Sequence, residues 1–139
     1  MKSDAWGDAQ EWGITILRVA VGGIFLPHGY RKFFVWGVAG VSAFLGTLGI
    51  PAPLPAAVVL TLVEFGGGLA LLLGLYTRWA AGLLAIDMLV AILTVHLRNG
   101  FFAPEGFEYP LTLLAASLAL VLLGSGQASV DGMLHRGEA

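Results

Sequence analysis

Residues 53–75 read PLPAAVVLTLVEFGGGLALLLGL, and Glu64 is the single charged residue in this run. A helix of about 20 apolar residues is long enough to cross the hydrocarbon core of a bilayer. A carboxylate near the middle of such a helix costs roughly 2.5–3.5 kcal/mol on insertion scales, so it requires a partner or a function. The run therefore predicts a transmembrane helix whose one charged side chain faces the interior of a bundle.

The composition places the rest of the chain in a membrane as well. Hydrophobic residues make up 58% of the 139 positions, charged residues make up 12%, and the mean hydropathy is +0.86. Soluble domains are far less apolar and about twice as charged. The length predicts a single domain over residues 1–139. A net charge of -2 does not favour a nucleic-acid partner, and the lack of cysteine excludes thiol chemistry within this chain.

Four apolar segments predict an all-α fold, an integral membrane four-helix bundle. The predicted helices cover about residues 13–34, 53–75, 77–97 and 109–123. Residues 35–50 mix aromatic, glycine and apolar side chains, which predicts a loop or a short interfacial helix. Pro27 removes a backbone donor from the first helix and predicts a kink just before His28.

Arg18 in the first helix and Asp87 in the third are also predicted to lie within the bilayer. A buried charge without a partner is costly, so we predict a buried ion pair of Arg18 with Glu64 or Asp87. Two interpretations of Glu64 stay open, a structural salt bridge with Arg18 or Lys32 and a functional carboxylate. Asp87 either pairs with Arg18, hydrogen-bonds to a neighbouring helix, or takes part directly in chemistry.

Small residues beside Glu64 predict a close helix contact. Gly67 and Gly68 lie about one turn after the carboxylate, and small side chains allow a neighbouring backbone to approach closely. Such spacing is common in membrane helices of every function, so these glycines are interpreted as packing residues.

Polar side chains are predicted to gather on the side of the membrane where the first and third helices end. His28 and Lys32 share one face of the first helix, and we predict that they line a pocket with Glu64 as catalytic residues. His96 and Glu108 are predicted at the rim of this pocket. Phe33 and Phe102 add aromatic surface near it.

This mixture of proton donors, acceptors and aromatic rings is what a quinone head group requires. The alternative is that these charged and aromatic loop residues only anchor the protein at the interface. Haem ligation by two histidines is a weaker alternative, because no attachment motif accompanies them. No metal site is predicted.

The order and spacing of these residues resemble the DoxX family. The resemblance is carried by Arg18, Gly22, Phe25, His28-Gly29, Lys32, Glu64 with the glycines after it, Gly74-Leu75 with Arg78, His96, Gly106 to Tyr109, Gly124-Ser125-Gly126 and Ser129-Val130-Asp131. It spans nearly the whole chain. It implies a small bacterial inner-membrane protein with four transmembrane helices, related to DoxD-type subunits of thiosulfate:quinone oxidoreductase. Thiosulfate as a substrate does not follow from these motifs.

The leading hypothesis is a membrane subunit of a quinone-linked oxidoreductase, in which Glu64 relays protons. The chain has no flavin or haem motif, so a redox partner protein or a bound cofactor would have to supply electrons. Membrane lipid is the other expected partner, and a homo-oligomer stays open. The alternative function is a noncatalytic membrane scaffold or a cargo-binding protein. A transporter is a third candidate, disfavoured by the short chain.

Basic residues are balanced across the predicted membrane. Lys2, Arg78 and Arg136 lie on the side of the termini, whereas Arg31, Lys32 and Arg98 lie on the opposite side. Arg18 can extend toward the terminal side, which favours both termini in the cytoplasm.

Overall fold

The computed structural model describes residues 4–137, which form helices and connecting turns without any strand. The helices are α1 (Asp4–Tyr30), α2 (Gly37–Thr47), α3 (Pro53–Leu73), α4 (Thr77–Ala91), α5 (Glu108–Leu123) and α6 (Val130–Arg136). A π-helical turn at Arg31–Val35 extends α1. A second π-helical turn at Ile92–His96, followed by a 3-10 turn at Leu97–Asn99, extends α4. The predicted all-α fold is confirmed.

Three helices are long and apolar enough to cross a bilayer, Ala5–Val35, Pro53–Leu73 and Thr77–Asn99. α5 is also apolar, and its 16 residues span about 24 Å. In the bundle α1 packs against α3, α3 against α4, α4 against α5, and α5 against α1. α2 packs against α3 and against the π turn that follows α1. The architecture is therefore a membrane helical bundle with two additional short helices, α2 and α6.

The first helix is the one that differs most from its predicted bounds. α1 begins at Asp4, well before residue 13, because polar residues do not interrupt a helix that extends into water. α1 remains α-helical through Pro27, and its geometry changes only at Arg31–Val35. Residues 35–50 contain α2, one of the two predicted alternatives. Lys2 lies outside the described residues, as does the side chain of Arg136.

Glycines bring the backbones of α1 and α3 into direct contact. A Cβ atom added to Gly29 would lie 2.3 Å from the backbone nitrogen of Phe65, and one added to Gly68 would lie 2.5 Å from that of Leu26. A Cβ on Gly22 would lie 2.9 Å from the carbonyl oxygen of Gly68. The predicted close approach beside Glu64 is confirmed. As a consequence, the end of α1 lies against the middle of α3.

Arg18 joins α1 to two other parts of the fold. Its side chain is 1% exposed. Its Nε donates to the Ser125 carbonyl at 2.8 Å, and Nη1 donates to the Leu72 carbonyl at 2.9 Å and also to that of Leu71. Nη2 donates to the Ala128 carbonyl. The last carbonyls of a helix have no intrahelical partner and carry partial negative charge, so the end of α3 is a suitable acceptor for a guanidinium.

The predicted ion pair of Arg18 with Glu64 or Asp87 is therefore wrong. α1 and α3 run antiparallel, so Arg18 reaches the C-terminal end of α3. Glu64 lies seven residues earlier than Leu71 in α3, about 10 Å away along the helix axis. The charge of Arg18 is compensated by carbonyl dipoles instead of a carboxylate.

The segment after α5 also holds the turn between α3 and α4. The Asp131 carboxylate accepts hydrogen bonds from the backbone nitrogens of Tyr76 at 2.7 Å and Thr77 at 2.9 Å. The Asp131 nitrogen donates to the Gly74 carbonyl at 2.9 Å. Ser129 caps α6 by accepting a hydrogen bond from the nitrogen of Gly132 at 3.0 Å. Asp131 thus satisfies the free amides at the start of α4.

Gly29→Ala should lower the free energy of unfolding by about 1–3 kcal/mol, because the added methyl group would overlap the backbone of α3. Gly23→Ala is the matched control, since a Cβ at Gly23 meets no atom within 4 Å. Unfolding of both variants in detergent, followed by circular dichroism, measures the difference. Equal stability of the two variants would contradict the tight crossing.

Arg18→Lys should also destabilise the protein, by about 2–3 kcal/mol, because an ammonium cannot reproduce the planar set of donors that a guanidinium offers. Arg78→Lys is the control, since exposed Arg78 makes a single hydrogen bond to the part of the chain that the structure describes, to the Val121 carbonyl at 2.9 Å. The same unfolding measurement applies. An Arg18→Lys variant as stable as wild type would show that the carbonyl contacts contribute little.

Candidate functional site

Lys32 and Glu64 form an ion pair in the middle of the bundle. Lys32 Nζ lies 2.5 Å from Glu64 Oε1, and the two side chains are 17% and 4% exposed. It is the one ion pair formed by the side chains within the described range 4–137. Glu64 lies near the midpoint of α3, so Lys32 is at mid-depth as well. The salt bridge of Glu64 with Lys32, one of the two predicted interpretations, is present in the structure. A catalytic role for Glu64 stays a prediction.

Asp87 is the third member of this group. Its carboxyl group lies within hydrogen-bonding reach of the Glu64 carboxyl and in the electrostatic field of Lys32. Glu64 Oε2 and Asp87 Oδ2 are both buried, and neither meets an N–H or hydroxyl donor within residues 4–137. Contact between two carboxyl groups is favourable only when one of them carries a proton. Lys32, Glu64 and Asp87 are here called the charged centre.

Antiparallel packing of α3 and α4 explains why these two carboxyl groups meet. A short turn at Gly74–Tyr76 joins the helices, and Glu64 precedes this turn by about as many residues as Asp87 follows it. Equal spacing from the turn places both at the same depth. The sequence analysis left Asp87 open between a pair with Arg18, a hydrogen bond to a neighbouring helix and direct chemistry. It did not name Glu64 as the neighbour, although the symmetric spacing was visible in the sequence.

Lys32 lies in the π turn that ends α1. The hydrogen bond from the Trp36 nitrogen to the Arg31 carbonyl, at 2.9 Å, spans five residues as in a π helix. Such turns are often found at functional sites, because the additional residue redirects the side chains that follow it. Gly29 lies just before the turn and packs against Phe65. The glycine contact and the π turn together bring the Lys32 amine to Glu64.

Beside the charged centre is a lateral groove of about 500 Å³ between α2, α3 and α4. Its lining is Leu45, Ile50, Pro51, Ala52, Pro55, Ala56, Val59, Leu60, Val63, Leu83, Ile86, Asp87, Val90 and Thr94. Asp87 is the single ionisable residue in this lining. The outer edge is formed by exposed Val59, Ile86 and Val90 on helices that are long enough to span the membrane. The groove therefore opens sideways, toward lipid.

His28 does not join the charged centre. Its side chain is exposed and makes no hydrogen bond or ion pair with the described residues. Its neighbour Gly29 is the residue that contacts α3, and consecutive residues of a helix point about 100° apart. The predicted pocket shared by His28, Lys32 and Glu64 is wrong in this respect, because only Lys32 and Glu64 meet.

His96 and Glu108 instead order the connection between α4 and α5. His96 Nδ1 lies 2.9 Å from the Glu105 carbonyl oxygen, and Glu108 Oε1 accepts a hydrogen bond from the Ala103 nitrogen at 2.7 Å. His96 follows Asp87 by nine residues, a distance of about 13 Å along a helix. The predicted rim around Lys32 and Glu64 is therefore not formed by these two residues.

The two aromatic residues predicted for the pocket are also separated. Phe33 packs against Phe34 and Phe65, with ring centroids 4.8 and 6.2 Å away. Because Phe33 follows Lys32 and Phe65 follows Glu64, Phe33 lies close to the charged centre. Phe102 is 78% exposed in the α4–α5 connection and packs against Phe101. Binding roles for either residue stay predictions.

Comparisons with known proteins agree with the fold. A family model described as DoxX matches residues 13–97. The Bacillus subtilis protein named "Putative oxidoreductase CatD" is 36% identical over 128 residues, which cover 92% of this chain and 91% of that protein. Inner membrane protein YqjF of Escherichia coli is 32% identical over 132 residues, covering 91% of this chain and 95% of that one. A membrane protein of Mycobacterium tuberculosis, Rv3486, is 35% identical over 134 residues, which cover 88% of this chain and 82% of that protein. No solved structure matches.

The charged centre predicts a strong coupling between Lys32 and Glu64. Lys32→Met alone leaves the two carboxyl groups without a cation, and Glu64→Gln alone removes the contact partner of a buried amine. Each change should lower the free energy of unfolding by about 3–5 kcal/mol, whereas the double variant should lose much less than the sum.

Arg31→Met is the control for this cycle. Arg31 is exposed, and its guanidinium lies 5.2 Å from the centroid of the Trp36 ring. Its removal should cost about 1 kcal/mol or less. Strictly additive losses for Lys32→Met and Glu64→Gln would show that the two side chains do not interact.

Proposed function

Because the chain belongs to the DoxX family, we propose that it is an inner-membrane subunit of a quinone-linked oxidoreductase system. The single observation that carries the proposal is the position of Asp87. This side chain contacts Glu64 in the charged centre and also lines the lateral groove. A proton held in the middle of the bundle is thus adjacent to a space that a membrane-soluble molecule can enter.

Quinone reduction makes use of such an arrangement. A quinone takes up two electrons and two protons, and the product is a quinol. Asp87 in its protonated form donates this proton to a quinone oxygen, and Glu64 then takes up a proton from the aqueous phase and passes it to Asp87. The Lys32 ammonium stabilises the carboxylate that remains, which lowers the cost of leaving a negative charge inside the bilayer. A second passage through the same groups delivers the second proton.

Electrons must come from outside this chain. The sequence has no cysteine and no flavin or haem motif, and the described residues contain no group of three or more side chains that would hold a metal ion. Chemistry of this kind is carried by cofactors, so a redox partner protein that transfers electrons to the bound quinone is part of the proposal. The name of the Bacillus subtilis relative supports the oxidoreductase assignment.

The proposal also includes an orientation with both termini in the cytoplasm. Arg18 and Arg78 lie at the end of the bundle where α3 ends and α4 begins. Basic residues near the ends of membrane helices favour the cytoplasmic side. In this orientation the α4–α5 connection lies on the opposite side of the inner membrane.

The first test is the identity of the molecules that purify with the protein. Organic extraction followed by mass spectrometry should recover quinone in a molar ratio near one from wild type. Glu64→Gln and Asp87→Asn should reduce quinone-dependent turnover with the redox partner at least about 100-fold, because each removes a proton donor or acceptor from the path. His28→Ala should retain turnover, since the exposed His28 side chain makes no hydrogen bond or ion pair with the charged centre.

The reverse pattern would contradict the proposal. If His28→Ala abolishes turnover while Glu64→Gln does not, the charged centre is not the proton path. Recovery of phospholipid without quinone, together with wild-type protein that binds no added quinone, would favour the noncatalytic scaffold or cargo-binding protein instead.

A further inference from the structure

We propose that the lateral groove is the binding site of the quinone, with the head group at Asp87 and the isoprenoid tail lying along α3 and α4. This inference rests on the proposed function and adds where the molecule binds and how it enters. The quinone site predicted at His28, Lys32, His96 and Glu108 is replaced by a site that faces lipid.

The shape of the groove suits one elongated apolar molecule. The lining residues Asp87 and Val90 of α4 and Thr94 of the π turn that extends α4 follow one another at spacings of three and four, and they line one side of the groove. From Asp87 to Thr94 the groove extends about 10 Å along the helix axis. The end distant from Asp87 is closed by Leu45 of α2 and by Ala52 before α3. Its volume of about 500 Å³ lies within the range of small-molecule sites.

The polarity of the groove indicates which end of the ligand lies at mid-depth. Asp87 is the single ionisable residue of the lining, and its carboxyl group in the protonated form can donate a hydrogen bond to a quinone oxygen. Thr94 is the other polar side chain of the lining, and its Oγ1 already donates to the Val90 carbonyl at 2.8 Å. The polar end of a ligand is therefore expected at Asp87.

This polarity distinguishes a quinone from a phospholipid tail. An acyl chain ends in a methyl group, which cannot hydrogen-bond to Asp87, and its phosphate would lie at the membrane surface. A prenylated quinone or quinol carries oxygen atoms at one end and an apolar tail at the other. The polar end can meet Asp87, while the tail contacts residues such as Val59, Leu83 and Ile86 and leaves toward lipid.

The opening between α3 and α4 gives the ligand a route from the bilayer. Val59 and Ile86 are each 61% exposed, and these two residues lie on opposite sides of the opening. A quinone that diffuses within the membrane can enter through this opening without crossing the packed core. Proton transfer then takes place at Asp87, away from the aqueous phase.

The experiment measures binding of decylubiquinone to the full chain in phospholipid nanodiscs by isothermal titration calorimetry. Ala56→Trp places a large ring in the groove and should weaken binding at least about 10-fold. Asp87→Asn keeps the shape and removes the acidic group, and should weaken binding about 10-fold. Leu122→Trp is the matched control, because Leu122 is 76% exposed on α5 and is not part of the groove. It should bind as wild type does.

Two further measurements keep the test decisive. Decylbenzene, which lacks oxygen atoms, should bind wild type and Asp87→Asn equally, because it makes no hydrogen bond to residue 87. If Ala56→Trp fails to fold, Val59→Trp takes its place, since Val59 lies at the exposed edge of the groove and is less constrained by packing.

The outcomes separate this inference from the proposed function. If wild type binds decylubiquinone and both Ala56→Trp and Asp87→Asn bind it with unchanged affinity, the groove is not the site, while quinone linkage stands. If Ala56→Trp displaces a bound phospholipid without affecting quinone affinity, the groove holds an acyl chain and the inference is wrong. Wild-type protein that binds no quinone contradicts both proposals.

Discussion

The contact between the backbones of α1 and α3 positions the other polar interactions of the bundle. Glycines at positions 22, 29 and 68 leave no space for a Cβ atom, so the two helices can neither slide nor rotate without a clash. Arg18 and Lys32 are separated by fourteen residues, about 21 Å of helix. Their long side chains reach the free C-terminal carbonyls of α3 and the Glu64 carboxylate. A single helix crossing therefore places both cations.

The two cations are neutralised in different ways, and the difference fits their chemistry. Arg18 keeps its proton under all ordinary conditions, and its planar donors match several carbonyl oxygens at once. It is suited to holding helix ends together. Lys32 faces a carboxylate, so its charge is met by an opposite charge on a neighbouring helix. Arg18 thus joins helix ends through backbone carbonyls, whereas Lys32 joins two helices through an ion pair.

The sequence predicted the fold well because the signals for membrane helices are local. Runs of apolar residues around Glu64 and Asp87 predicted the helices, and the glycines after Glu64 predicted the close contact with a neighbouring helix. Arg18 was predicted less well. Its partners are backbone carbonyls, which every residue possesses and which therefore leave no mark in a sequence.

The side chains around the π turns show a second limit of prediction from the sequence. His28 and Lys32 share a face in a regular helix, but a π turn at Arg31–Val35 changes the direction of the side chains within it. Alternating helix direction correctly grouped the helix ends, but it could not show that Lys32 lies at mid-depth, about 13 Å from the level of His96. The groove was missed altogether, because its lining consists of ordinary apolar residues from three separate helices.

The interior of the bundle is asymmetric about the charged centre, and this asymmetry bears on how any ligand or proton reaches it. Between Glu64 and Arg18 the core is filled by Phe25, Leu71 and Leu84, each no more than 2% exposed. Arg18 closes that end with its bonds to backbone carbonyls. On the other side of the centre, the lateral groove runs from Asp87 toward the start of α3. A packed apolar core excludes water and other molecules, so the open approach to Asp87 lies in the half of the bilayer in which α3 begins.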